Sequence, residues 1–215
     1  MTRSAPGQHW LDRSAGRRTF IAVPLGADAR DAVARLMTGL GYGTRRQGGG
    51  PPPRWVRPES LHLTMRFLGV TRDQDLRALR DCVDEAAAGA DAIDCRLAGA
   101  GAFPAGDRPR ILWLGVGEGA DALAALAVRV EDSLAARGWP RDDRPFNPHL
   151  TIARTDGVVG ALALAREMEE GSAGLDARWR TDRLVLFESI TGQGPARYEP
   201  LHEARLRDAE SAPAG

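Results

Sequence analysis

Two short stretches of this chain carry the same core, and His149 follows His62 by 87 positions. The first is Ser60-Leu61-His62-Leu63-Thr64-Met65-Arg66-Phe67 and the second Pro148-His149-Leu150-Thr151-Ile152-Ala153-Arg154. Each reads His-Leu-Thr and then an apolar residue, within a run that favours β-structure. In an extended strand, residues two apart share a face. Each copy therefore sends an imidazole and a threonine hydroxyl one way, and Leu63 or Leu150 the other. Two such strands, one from each half of the chain, can bring two imidazoles into one cleft.

The rest of the composition narrows what that cleft serves. A chain of 215 residues, 43% hydrophobic, can bury a core as one domain or two small lobes. No apolar run approaches the roughly 18 residues that span a membrane. Met1 to Arg18 is polar, with no apolar stretch for a secretory signal, so the expected location is the cytoplasm. Cys82 and Cys95 form no CxxC pair and read as reduced structural residues. Twenty-nine basic side chains balance 29 acidic ones, which argues against binding long nucleic acid by charge alone. Recognition of one phosphate or of an RNA end stays open.

Periodicity gives the order of elements. Residues 1–18 and 207–215 read as disordered tails around a bilobal domain over 19–206. Thr19 to Leu25 reads as a buried strand, and Asp28 to Leu40 has helical apolar spacing. Gly43 to Pro53 is a Gly/Pro-rich loop, either a plain insertion or a basic flap through Arg45 and Arg46. The first histidine strand ends near Gly69, and a helix follows over Asp73 to Ala88. Ala92 to Leu97 and Arg110 to Val116 read as strands around a turn at Phe103-Pro104. A helix over Asp121 to Ala136 precedes the second histidine strand. Val158 to Glu170 reads as helix, then Leu175 to Trp179, Arg183 to Ile190 and Tyr198 to Leu206 as strands. This predicts an α+β chain: two pseudo-duplicated, mostly antiparallel sheets, helices packed outside, and a central cleft.

The two His-x-Thr motifs resemble the signature of the two-histidine (2H) phosphoesterase superfamily. The segments Arg18 to Val23, Trp55 to Gly69, Pro148 to Arg154, Leu184 to Ser189 and Tyr198 to Leu201 are similar to its RNA 2′,3′-cyclic phosphodiesterase branch, also called 2′-5′ RNA ligase. The resemblance runs from about residue 18 to 206. It implies hydrolysis of RNA 2′,3′-cyclic phosphate ends to 2′-phosphomonoesters, without metal or cofactor, with reversible 2′-5′ ligation as a secondary activity. Its partners would be RNA ends or nucleoside 2′,3′-cyclic phosphates, no membrane is implied, and a monomer is expected. It makes His62 the acid and His149 the base, with Thr64 and Thr151 holding non-bridging oxygens and Arg154 binding phosphate.

The chemistry has an independent rationale. Opening a cyclic phosphate needs a base for water and an acid for the departing ribose oxygen, and imidazole serves in either state near neutrality. Strict alternation puts Arg154 on the face opposite His149, so the strand is expected to end, twist or bulge after Ile152. Arg66 alternates in phase with His62 and is a further candidate for substrate binding. Phe146 and Tyr198 read as core residues before base-pocket residues, and His202 as a surface strand residue. Two other readings stand beside this one. One is a related 2H phosphodiesterase acting on another small cyclic or 2′-5′-linked nucleotide. The other is a non-catalytic nucleotide- or RNA-binding module, for which paired acid and base groups would have no use.

Overall fold

The protein is described here from a computed structural model covering residues 16–43, 52–155, 160–190 and 196–208. Among the described residues, nine strands and four α-helices follow in the order β1 (Arg17–Pro24), α1 (Ala27–Gly39), β2 (Arg54–Trp55), β3 (His62–Thr71), α2 (Leu76–Ala88), β4 (Ile93–Phe103), β5 (Ile111–Val116), α3 (Ala120–Ala136), β6 (His149–Arg154), α4 (Ala161–Ser172), β7 (Arg178–Thr181), β8 (Arg183–Ile190) and β9 (Arg197–Arg205). The helices form where apolar residues recur every three or four positions. In α2 these are Leu79, Cys82, Val83, Ala86 and Ala87, and in α3 Leu123, Leu126, Ala127, Val130 and Leu134. Those stripes are buried against the sheet and one another.

The strands form one curled antiparallel path, β7-β4-β5-β6-β3-β1-β8-β9, with β2 pairing β6 off that path. The α+β class and antiparallel sheet predicted from the sequence are borne out. Four strands lie on each side of the β6–β3 junction, and the histidine strand is innermost on each side. The two sides are not the two halves of the chain, however. The C-terminal hairpin β8–β9 pairs with N-terminal β1, while β7 pairs with β4. The helices cross over too: α1 packs on β7, and α2 on β8 and β9. A hairpin has to pair where an open edge exists, and β1 supplies that edge.

At the junction, β3 and β6 share a single registered pair, Leu63 with Leu150, each fully buried. Beyond it β2 takes over, pairing Arg54 with Arg154 and Trp55 with Ala153, and Val56 N–H donates to the Ile152 carbonyl at 2.9 Å. The two histidine strands thus touch at one point and diverge, which opens the cleft.

Other expectations differ in detail. Strand β4 runs on to Phe103, past Leu97, with an irregularity between Leu97 and Ala100. Residues 73–75 form a short 3-10 turn before α2. Helix α4 is described from Ala161, and β7 starts at Arg178, three residues later than periodicity suggested. Of the predicted Gly/Pro loop, residues 44–51 lie outside the described residues, as do residues 1–15 (with His9) and 209–215. Cys82 and Cys95 are free and buried, and burial pushes the Cys95 thiol up to about 11. No helix among the described residues is long and apolar enough to cross a membrane.

Candidate active site

The Leu63–Leu150 pair fixes the frame of the site. In an antiparallel ladder around it, Thr151 lies opposite His62, and His149 opposite Thr64. The two histidines are then diagonal neighbours, a relation that sets side chains roughly 7–8 Å apart. Both leucines point to the buried face, so the histidines and threonines share the other. The burial pattern agrees: His62, Thr64, His149 and Thr151 are half-buried and alternate with buried Leu63, Met65, Leu150 and Ile152.

Each imidazole is held in the same way. Nδ1 of His62 lies 2.7 Å from the Ser60 carbonyl, and Nδ1 of His149 lies 2.7 Å from the Asn147 carbonyl. A carbonyl only accepts, so each Nδ1 carries the proton and donates it. Each Nε2 is left as the nitrogen that can gain or lose a proton.

The surroundings of the two rings differ. His62 lies 4.8 Å from Phe20, 5.0 Å from Tyr198 and 6.2 Å from Phe187, centroid to centroid. Burial among these rings pushes its pKa from the ordinary 6.5 down to about 4. The Ser60 hydrogen bond opposes the fall, and the positive charge of Arg154 adds to it. Among the described residues, the rings beside His149 are Phe103, at 5.5 Å, and Trp113, at 6.2 Å.

The strands carry matching irregularities. Opposite β5, β6 steps from Thr151 to Ala153 while β5 moves one residue, so Ile152 is extra. Opposite β1, β3 steps from Thr64 to Arg66 in the same way, so Met65 is extra. Each bulge falls three positions after the histidine and reverses the alternation beyond it. Arg154 consequently returns to the face of His149 and Thr151, which resolves the geometric difficulty seen in the sequence. It is exposed, and its charge is felt at His62.

The same bulge removes Arg66 from the cleft. Arg66 is buried on the helix side, with Nη1 2.9 Å from Glu131 of α3 and 3.6 Å from Asp142, and Nη2 donating to the Pro140 carbonyl. The approach to Glu131 is off-axis, an ion pair without a hydrogen bond's angle. The expectation of substrate binding by Arg66 is therefore corrected: simple alternation failed at Met65. Phe67, 58% exposed and 6.1 Å from Phe20, takes the place in β3 that Arg154 takes in β6. Alignment of the two motifs, each counted five positions from its histidine, would have found it. Tyr198 is corrected in the other direction, since it packs edge-on against His62. Phe146 packs on the core, and His202 Nε2 pairs with Asp84 at 2.7 Å. Among the described residues, no three His, Cys, Asp or Glu side chains gather as a ligand set.

Comparison with known proteins fits this geometry. The chain is 32% identical over 157 residues to an RNA 2′,3′-cyclic phosphodiesterase of Aeropyrum pernix, covering 73% of this chain and 88% of that protein. It is 31% identical over 153 residues to one from Methanothermobacter thermautotrophicus, covering 71% of this chain and 79% of that protein. Among solved structures it is similar to Escherichia coli LigT in apo form, with a TM-score of 0.68 and 25% identity, over 90% of this chain and 99% of that one. The family model described as the 2′-5′ RNA ligase superfamily matches residues 29–193, and the chain belongs to that family.

Proposed function

We propose that this protein hydrolyses 2′,3′-cyclic phosphate ends of RNA to 2′-phosphomonoesters, with His62 and His149 as an acid–base pair. One observation carries the reading. The two His-x-Thr strands meet antiparallel at Leu63–Leu150, which aims two Nε2 atoms into one cleft. Its relatives named RNA 2′,3′-cyclic phosphodiesterase support the substrate class.

Nε2 of His149 takes a proton from water, and the water oxygen attacks phosphorus. The bond from phosphorus to O3′ breaks on the opposite side, and Nε2–H of His62 delivers a proton to O3′. The Thr64 and Thr151 hydroxyls and Arg154 hold the non-bridging oxygens, where charge builds. A 5′-hydroxyl in place of water gives a 2′-5′ linkage. Burial keeps His62 neutral at pH 7 in the free protein. An anionic phosphodiester beside the ring favours the imidazolium, so the substrate's own charge arms the acid. The protein acts on RNA ends as a cytoplasmic monomer, with residues 19–206 as one bilobal domain.

The test is incubation of purified protein with EDTA and a nucleoside 2′,3′-cyclic phosphate, with identification of the product isomer. Formation of the 2′-phosphate is expected. A 3′-phosphate, or no turnover, overturns the reading.

A further inference from the structure

On the β5 and β4 side of His149, the strands present glycines and one aromatic shelf. Gly115 of β5 lies across from His149, Trp113 across from Thr151, and Gly101 of β4 across from Trp113. A Cβ at Gly101 would stand 2.4 Å from Cζ2 of Trp113, and one at Gly115 2.7 Å from the Ala98 carbonyl oxygen and 3.5 Å from Cζ3 of Trp113. The indole therefore lies along a strip that only glycine leaves open. Phe103 stacks on it at 5.1 Å with 29° between the planes, stays 36% exposed, and meets His149 edge-on. Arg110 N–H closes the hairpin onto the Phe103 carbonyl at 2.7 Å, which fixes the end of the shelf.

His62 has a separate aromatic wall of Phe187 and Tyr198, packed on the buried Phe20, with the exposed Phe67 beyond. A cyclic nucleotide has one base and needs one wall. Two walls, one beside each histidine, match a phosphodiester that joins two nucleosides. We propose that the Phe103–Trp113 shelf is a second nucleoside subsite, stacking the base of the nucleoside whose 5′-oxygen is bonded to phosphorus. This rests on the reaction proposed above, in which His149 serves the attacking side. In the cleavage direction the 3′-hydroxyl of a 2′-5′ dinucleotide gives its proton to His62 and attacks phosphorus. The bond from phosphorus to O5′ breaks, and protonated His149 supplies the proton to O5′. The products are a 2′,3′-cyclic phosphate and a nucleoside with a free 5′-hydroxyl.

The experiment compares kcat/KM for a 2′-5′-linked dinucleoside monophosphate with that for a nucleoside 2′,3′-cyclic phosphate, in wild type, Phe103→Ala and Phe103→Trp. A stacked base contributes enough that Phe103→Ala should lower the ratio of dinucleotide to cyclic-nucleotide kcat/KM about tenfold, and Phe103→Trp should preserve it. Equal losses on the two substrates would reduce Phe103 to a support for His149 and overturn the subsite. Wild type that hydrolyses the cyclic nucleotide but leaves the dinucleotide intact overturns it too, without touching the proposed hydrolysis. Failure on the cyclic nucleotide strikes that hydrolysis first, and the subsite with it. Adenosine titrated into wild type should move the Trp113 indole N–H resonance, whatever the variants do; an unmoved resonance counts against the subsite.

Discussion

His62 and His149 make the same hydrogen bond to the carbonyl two residues back, yet three aromatic rings box in the first imidazole while the second meets Phe103 and Trp113 edge-on. The difference is measurable residue by residue. The His62 ring protons, followed by NMR, should titrate near pH 4 rather than 6.5. Phe20→Ala lets water reach the ring and removes the main cause of the depression, so the pKa should rise. Arg154→Ala removes a nearby positive charge and should raise it further by a smaller step, because burial is the larger cause. A His62 titration near 6.5 in wild type would mean the box is looser than its ring contacts indicate. The sign also sets a stability window. Between pH 6.5 and about 4 the unfolded chain binds a proton at this histidine that the folded chain refuses. Stability from this site is therefore intact above pH 6.5 and falls as pH drops towards 4, and His62→Phe should flatten that slope in denaturant melts. In turnover, His62→Ala and His149→Ala should each lose about 10²-fold or more while remaining folded; near-wild-type rates in either would remove the acid–base pair.

The bulges at Met65 and Ile152 decide at the level of the strand what composition could not. The motif, the four helices and most strand positions were legible, because apolar spacing and His-x-Thr are local signals. A bulge is not local: it exists only against a partner strand, and here the partners are β1 and β5. At Arg154 alternation clashes with the expected role and points to a bulge, whereas at Arg66 alternation agrees with the expected role and nothing in the sequence points to one. The strand expected to end at Leu97 likewise continues as β4 to Phe103, and Trp113 covers Gly101 from the next strand. Arg66 supplies the test. Arg66→Ala leaves the carboxylates of Glu131 and Asp142 without their buried cation, and should cost about 3 kcal/mol in urea unfolding. The folded fraction should keep its KM for the cyclic nucleotide. A raised KM at unchanged stability would return Arg66 to the cleft.

At the scale of the molecule, the candidate active site is built where the chain exchanges strands. The fragment ending at Gly89 holds β1, β3, α1 and α2, the first histidine and its threonine. It lacks β8, which pairs with β1, and β9, which pairs with β8, and both of these strands pack on α2. Ile21 and Ala22 are fully buried in the sheet, and Leu79 and Val83 under it; all would meet water in the fragment. Exposing four such side chains removes several kcal/mol of burial, on the order of 1.5–3 kcal/mol for each of the larger ones, from a fold with little to spare. Residues 1–89 alone should therefore give the circular dichroism of an unfolded chain. Mixed with residues 90–215, they should regain strand signal and activity together, because the His62 wall needs Phe187 and Tyr198 from the other fragment. A cooperative melt from residues 1–89 alone would mean that the N-terminal side of the sheet folds without the C-terminal hairpin. Regained activity without regained strand signal is excluded by the geometry, since the ring that lowers His62 and the strand that completes the sheet are the same residues.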